Sequence, residues 1–322
     1  MKAITYTEYG PPEILQFTEV AKPIPKDDEV LIRIRAASVN PLDWHFMRGA
    51  PYLVRIQTGL RKPKTTRLGV DVAGQVEAVG KNVTRFHPGD EVFGACRGAF
   101  AEYACASESS LVRKPVNVTF EQAAAVPVAA FTALQGLRDK GQIQPGQRVL
   151  INGASGGVGT FAVQIAKLFG AEVTGVCSTR NVDMVRSIGA DHVVDYTQED
   201  FTKTGQRYDL IFDSAGNHTL SDTRRALTPK GTLVLVGGPD NGRWLGPLTG
   251  LLKVVVSSWF VRQKLLPFLA HLNKDDLIVM QEFLAAGKVT PVIDRSYPLS
   301  DVSEAIRYLE KGHARGKVVI TV

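Results

Sequence analysis

The residues best placed to do chemistry lie in one short stretch. An apolar run, Val149-Leu150-Ile151, leads into Asn152-Gly153-Ala154-Ser155-Gly156-Gly157-Val158-Gly159. It is followed by a segment whose apolar residues Val158, Ala162, Ile165 and Phe169 keep helical spacing. Strand, glycine turn and helix in that order suit the gripping of a phosphate. Glycines let the backbone bend tightly and approach a pyrophosphate, whose charge is met by amide N–H groups at the start of the helix. Ala154 takes the first position of a G-x-G-x-x-G pattern that Gly156 and Gly159 complete. The expected ligand of Gly153, Ala154, Ser155, Gly156, Gly157, Val158 and Gly159 is a dinucleotide.

The end of the next strand refines that expectation. A site selective for NAD places a carboxylate there, about 20 residues further on, to hold the ribose 2′-hydroxyl. This chain has Cys177-Ser178-Thr179-Arg180 instead. A hydroxyl followed by a guanidinium removes repulsion and supplies charge-assisted bonds for a 2′-phosphate, which favours NADPH. Arg180 is otherwise a solvent-facing loop residue and Ser178 a helix cap. Tyr196, ending the following strand, is a further candidate on the same side.

These residues need a sheet to carry them. After Pro145-Gly146, short apolar runs alternate with helical stretches: Arg148 to Asn152, Glu172 to Cys177, His192 to Tyr196, Asp209 to Ser214, Gly231 to Val236 and Lys264 to Leu269. That alternation predicts a doubly wound parallel sheet, a Rossmann arrangement, over residues 120–286. Residues 1–119 read differently, as short strands punctuated by turns such as His87-Pro88-Gly89-Asp90. The run Glu29 to Ala36 is typical, its Val30, Ile32, Ile34 and Ala36 alternating with Leu31, Arg33 and Arg35. Residues 287–322 return to strand, helix and strand and are expected to rejoin the first part. The fold class is therefore α/β, with a mainly β domain beside a Rossmann domain.

Composition excludes several other classes. With 322 residues, 44% hydrophobic and 22% charged, the chain is long enough for two cores and is far from disordered or fibrous compositions. A net charge of +6 from 38 basic and 32 acidic residues is too dilute to argue for nucleic acid, and an anionic small ligand fits it equally well. Cys96, Cys105 and Cys177 contain no CxxC pair, which points to a reducing cytoplasm and against a cysteine-rich zinc lobe. The first 20 residues do not read as a signal peptide. The longest apolar run, Leu248 to Val261, is interrupted by Lys253, Ser257 and Ser258 and falls short of the ~20 residues of a membrane span.

The glycine stretch, together with Ser38-Val39-Asn40-Pro41-Leu42-Asp43, Pro88-Gly89-Asp90-Glu91-Val92-Phe93-Gly94 and Gly316-Lys317-Val318-Val319, resembles the medium-chain dehydrogenase/reductase superfamily over essentially the whole chain. The chain is most similar to its zinc-free, zeta-crystallin-like quinone oxidoreductases. The resemblance implies a GroES-like substrate domain, a Rossmann domain for NADPH, catalysis in a cleft, and a homodimer formed by edge pairing of the sixth Rossmann strand. At the positions where zinc-dependent members carry Cys, His and Cys, this chain has Asn40, Val70 and Val128, so no catalytic zinc is expected. By the same transfer Thr132 faces the nicotinamide end, Ser214, Ala215, Gly237 and Gly238 face the cofactor, and Lys317 reaches its phosphates. Thr132 has the alternative of bonding its own helix, and Gly237-Gly238 of being only a turn.

Hydride transfer to a quinone gives a delocalised anion, so weak donors suffice where a saturated ketone needs a Lewis acid. In this reading Asn40 donates to the developing oxyanion and Asp43 positions it. The alternatives are structural, Asn40-Pro41 as a turn opener and Asp43 as the N-cap before Trp44. Trp44, Phe46, Phe93, Trp244 and Trp259 either line an apolar cleft or belong to cores. Arg55, Arg61, Lys62, Lys64 and Arg67 form a basic run that either guides an anionic substrate or a membrane surface or is a solvated loop. The implied activity is NADPH-dependent reduction of a quinone or related activated carbonyl. An enone, alkenal or acyl-thioester double-bond reductase, and an NADPH-binding interaction protein with little turnover, are the rival readings.

Overall fold

Short, β-branched apolar runs separated by helical stretches can pair in parallel, because each helix returns the chain to the same end of the sheet. The computed structural model describes residues 1–236 and 261–322. Within it the chain divides into two units, Met1–Ala129 with Leu272–Val322, and Ala130–His271.

In the second unit six strands form one sheet in the order His192–Asp195, Glu172–Cys177, Arg148–Asn152, Tyr208–Asp213, Leu227–Leu235 and Lys264–Pro267. All five pairings are parallel. In the unit's own strand numbering this is 3-2-1-4-5-6, whose direction of winding reverses between Arg148–Asn152 and Tyr208–Asp213. Leu150, Ile211, Leu233 and Leu265 stand in register across four neighbouring strands and share one apolar cluster. Each side chain so buried contributes about 1.5–3 kcal/mol, so this row fixes the register that brings the strand ends level.

In the first unit a sheet of seven strands is built around Glu29–Val39. This strand pairs with Asp71–Val79, with Tyr103–Ser107 and, from the far end of the chain, with Lys317–Thr321. Ile293–Pro298 lies parallel to Lys317–Thr321, and the helix Val302–Glu310 between them buries Val302, Ala305 and Ile306, spaced at three and four residues, against the sheet core.

The unit boundaries differ from those expected at 119/120 and 286/287. The helix Phe120–Ala124 packs on strands Glu29–Val39 and Asp71–Val79, and the helix Lys274–Ala285 on Leu111–Arg113. Asn117 Nδ2 donates to Leu284 O at 3.0 Å and Gln281 Nε2 to Arg113 O at 2.7 Å. Apolar surface on the first sheet therefore recruits helices that the strand–helix alternation had assigned to the second. The Ala- and Leu-rich stretch from Glu121 to Leu137 does not form one helix but is broken into Phe120–Ala124 and Pro127–Gln135, because Pro127 lacks the N–H to continue the ladder and is placed at a helix start.

Candidate functional site

The glycine turn stands at the carboxyl end of Arg148–Asn152, beside the reversal of strand order. Gly153 has φ +85°, and a Cβ there would lie 2.7 Å from Ser214 Oγ. Gly159 is held more tightly, since a Cβ would lie 2.0 Å from Gly153 O. Helix Gly157–Leu168 can approach its own turn only because that side chain is missing. The left-handed residue is thus Gly153, one position before the Ala154 that the motif aligns with the first glycine. Ala154 itself is fully buried and donates its N–H to Val176 O at 3.0 Å.

Gly156 precedes the helix with no side chain to cap it, so the first N–H groups of Gly157–Leu168 carry the helix's positive end without an internal acceptor. Ser155, Gly156, Gly157 and Val158 are partly exposed, which leaves this end open to an anion. From the neighbouring strand Ser214 Oγ donates to Asn152 O at 2.8 Å, so its hydroxyl braces the turn. Asp213, with its carboxyl pushed above the usual range by burial, accepts from Asn152 Nδ2 and from the Ala215 and Gly216 N–H groups.

At the end of Glu172–Cys177, Ser178 is half-buried and Arg180 exposed. Tyr196 is 51% exposed and is tied there by its N–H to Cys177 O at 3.0 Å. The structure thus gathers Ser178, Arg180 and Tyr196 around one strand end. Two residues of this region escaped the sequence reading. Asp195 accepts from Thr179, Thr197 and Gln198, bonds that hold its carboxyl below the usual range, the Thr179 hydroxyl first among them. Asn181 donates from Nδ2 to both Ser155 Oγ and Ser178 Oγ. Thr132 is buried on Pro127–Gln135. Gly237, Gly238, Trp244 and Trp259 lie outside the described residues.

A second polar constellation lies inside the first unit, where Glu29–Val39 ends beside the starts of Asp71–Val79 and Lys317–Thr321. Ser38 is the register partner of both Asp71 and Val319. Asp71 is fully buried. Its Oδ2 accepts from Ser38 Oγ at 2.7 Å and Asn40 Nδ2 at 2.9 Å, with Lys317 Nζ at 3.5 Å, and its Oδ1 accepts from the Val128 N–H at 3.0 Å. Lys317, 3% exposed, donates to Asn40 Oδ1 at 2.6 Å. Burial lowers its pKa, against the carboxylates of Asp71 and Asp43, which raise it.

This geometry changes three expectations. Lys317 was expected to reach cofactor phosphates, but its ammonium turns into the cluster, where buried Asp71 demands a counter-charge. Asn40 was expected to offer its amide to an oxyanion. Instead it uses Nδ2 on Asp71 and on Ser38 O, and Oδ1 on Lys317, and is 2% exposed. Asn40 itself is the N-cap of helix Pro41–Arg48, and Asp43 sits three residues on, its Oδ2 accepting the Asn40 N–H at 2.8 Å and its Oδ1 the Gly69 N–H at 3.1 Å. Burial pushes the Asp43 carboxyl up to about 7, with Asp71 adding repulsion.

The aromatic set is not one wall. Phe93 is fully buried in its sheet, opposite Ala73 and Val112. Trp44 and Phe46 are half-buried against the first unit's core, with the Trp44 ring on that of His45 at 3.7 Å. In the basic run Arg55 stacks on the rings of Tyr9 and Tyr52, while Arg61, Lys62 and Lys64 are exposed.

Residues 26–116 match the alcohol dehydrogenase GroES-like domain family, and residues 188–320 the zinc-binding dehydrogenase family. The chain is 37% identical over 339 residues to the chloroplastic quinone-oxidoreductase homolog of Spinacia oleracea, covering 99% of this chain and 98% of that one. It is 36% identical over 335 residues to the 2-methylene-furan-3-one reductase of Solanum lycopersicum, covering 99% of this chain and 79% of that one. The quinone oxidoreductase structure from Coxiella burnetii superposes with a TM-score of 0.86 at 30% identity, covering 100% of this chain and 99% of that one. Likeness of this extent, reaching both units and both ends of the chain, makes the protein a member of the medium-chain dehydrogenase/reductase superfamily, in its quinone oxidoreductase branch of NAD(P)H-dependent enzymes.

Proposed function

We propose that the chain is an NADPH-dependent, zinc-independent reductase of quinones or related activated carbonyls. The observation that carries the coenzyme choice is the end of strand Glu172–Cys177. There Ser178, Arg180 and Tyr196 present a hydroxyl, a guanidinium and a phenol where an NAD site places a carboxylate. The carboxylate on the next strand end, Asp195, is taken up by three side-chain donors. The open end of helix Gly157–Leu168 takes the diphosphate, and Ser214 keeps the turn in shape for it.

When bound, NADPH supplies the hydride equivalent, and the chain's own residues bind and orient it. Zinc does not fit the residues present. A carboxamide and two valines replace the ligands, and the Asn40 oxygen already accepts from the Lys317 ammonium at 2.6 Å. Asn40 and Asp43 act as positioning residues that hold the turn after Glu29–Val39. The Solanum lycopersicum relative, named as a 2-methylene-furan-3-one reductase, supports a second reading in which the reducible group is a conjugated double bond. Free Cys96 and Cys177, whose thiols burial pushes up to about 12 and about 11, suit a reducing compartment such as the cytoplasm. The edge strand Lys264–Pro267 is the surface for a homodimer.

A steady-state comparison of NADPH and NADH against benzoquinones, naphthoquinones, enones and alkenals tests the proposal. The expected result is turnover with NADPH at least ~10-fold above NADH in kcat/KM, one charge-assisted bond being worth that much. Coenzyme binding without turnover on any acceptor would leave the interaction-protein reading in its place.

A further inference from the structure

The carboxamide of Asn181 occupies an unusual place. The residue is 4% exposed and precedes the short helix Val182–Ser187, yet its side chain makes no cap bond to that helix. Its Nδ2 reaches Ser155 Oγ at 3.0 Å, inside the glycine turn, and Ser178 Oγ at 3.2 Å, at the end of the second strand. Its Oδ1 is buried without a hydrogen-bond partner among the described residues.

The direction of these bonds has a chemical consequence. An amide nitrogen has two hydrogens to give and no lone pair to accept with, whereas a hydroxyl has one hydrogen and two acceptor sites. Both hydroxyls are therefore acceptors toward Asn181, and each keeps its own proton for something else. Among the described residues neither proton has another acceptor, and both serines are partly exposed. The opposite orientation of the amide would pair Oδ1 but draw both protons inward. The orientation seen leaves one oxygen unpaired and both hydroxyl protons uncommitted on partly exposed serines, an arrangement suited to an anionic ligand and to an internal water that donates to Oδ1.

We propose that Asn181 is a positioning residue for coenzyme binding, aiming the Ser155 proton at the diphosphate bridge and the Ser178 proton at the adenosine-side phosphate. The proposal rests on the NADPH reading for its Ser178 half and on dinucleotide binding alone for its Ser155 half. The ligands 2′,5′-ADP, which carries the 2′-phosphate without the diphosphate bridge, and ADP-ribose, which carries the bridge without the 2′-phosphate, separate the two.

Calorimetric titration of the full chain with each ligand is the test. Asn181→Leu keeps the branched shape and removes both donors, and is expected to weaken both ligands about 10-fold, the effect of one good hydrogen bond. Ser178→Ala is expected to weaken only 2′,5′-ADP and Ser155→Ala only ADP-ribose. Adding Ser178→Ala to Asn181→Leu is expected to cost 2′,5′-ADP nothing more, a non-additivity that a purely structural asparagine does not produce. Asn181→Asp is the second variant should the leucine protein fail to fold. Nearly isosteric, it draws both hydroxyl protons inward and is expected to weaken both ligands more than leucine does. Folded variants that bind both ligands within twofold of the parent, or losses that simply add, would overturn the inference while leaving the coenzyme reading intact. A parent that binds ADP-ribose but not 2′,5′-ADP would remove the 2′-phosphate reading and the Ser178 half with it, leaving the Ser155 half to be judged on ADP-ribose. A parent that binds neither ligand would remove both.

Discussion

The two polar constellations of this protein are built on opposite principles. In the glycine turn the backbone sets the shape, and the side chains matter by their absence: Gly159 carries no Cβ because Gly153 O would lie 2.0 Å from it. In the cluster around Asp71 the side chains do most of the work, and four polar residues drawn from three strand ends pair with one another out of contact with water. The first arrangement leaves donors open for a ligand, and the second uses its donors up. An open anion site tolerates exposure because its ligand completes it. A buried charge set has to be complete from the start, since an unpaired ion in the interior costs several kcal/mol.

The sharpest way to break this contrast is to remove the internal cation. Lys317→Met strands the Asp71 carboxylate and the Asn40 oxygen, and should cost about 3–5 kcal/mol in urea unfolding. The double variant Lys317→Met/Asp71→Asn should recover part of that loss, and failure to recover any would mean that the pair is not the source. In the turn, Gly159→Ala should cost ~1–3 kcal/mol as overpacking while abolishing measurable coenzyme binding. A variant that binds NADPH normally would show that the close approach of helix and turn is dispensable.

Arg180→Ala should raise the NADPH dissociation constant about 10-fold and leave NADH unchanged, read by fluorescence titration. Equal losses for the two coenzymes would place the guanidinium on a shared phosphate. The smallest effect concerns proton linkage at Asp43, whose carboxyl burial pushes up to about 7 from an ordinary value of 3.8. The folded state then binds the extra proton, so the contribution of Asp43 to stability falls as pH rises from about 4 to about 7. Asp43→Asn should flatten the unfolding free energy over that window, and an unchanged slope would assign the pH dependence elsewhere.

The turn was legible in the sequence because a backbone constraint writes the same letter at fixed spacing, Gly156, Gly157 and Gly159 right after an apolar strand. The parallel sheet itself followed from alternation, whereas the order of its strands is set by pairing that alternation does not encode. The buried cluster was not legible as a cluster. Asn40 and Asp43 stood out by local pattern, but nothing near them announces Lys317 or Asp71, which join them only through strand pairing. An acid between Val70 and Val72, in a run otherwise fit for a core, was the available sign that Asp71 has a buried partner. Phe93 misled for the converse reason: aromatic type alone does not distinguish a cleft wall from a sheet interior. Asn181 gives no sign of itself in the sequence, because asparagine at a helix start is common for capping reasons, which its side chain does not follow here.

The strand Lys317–Thr321 lies between Glu29–Val39 and Ile293–Pro298 in the first sheet. Synthesis reaches it only after both of its partners, so the nascent chain holds a gap between those two strands until residues 317–321 are made. The segment Ala130–His271 has by then emerged whole, and the part synthesised first is the last to close. Until that moment Asp71 waits without its cation.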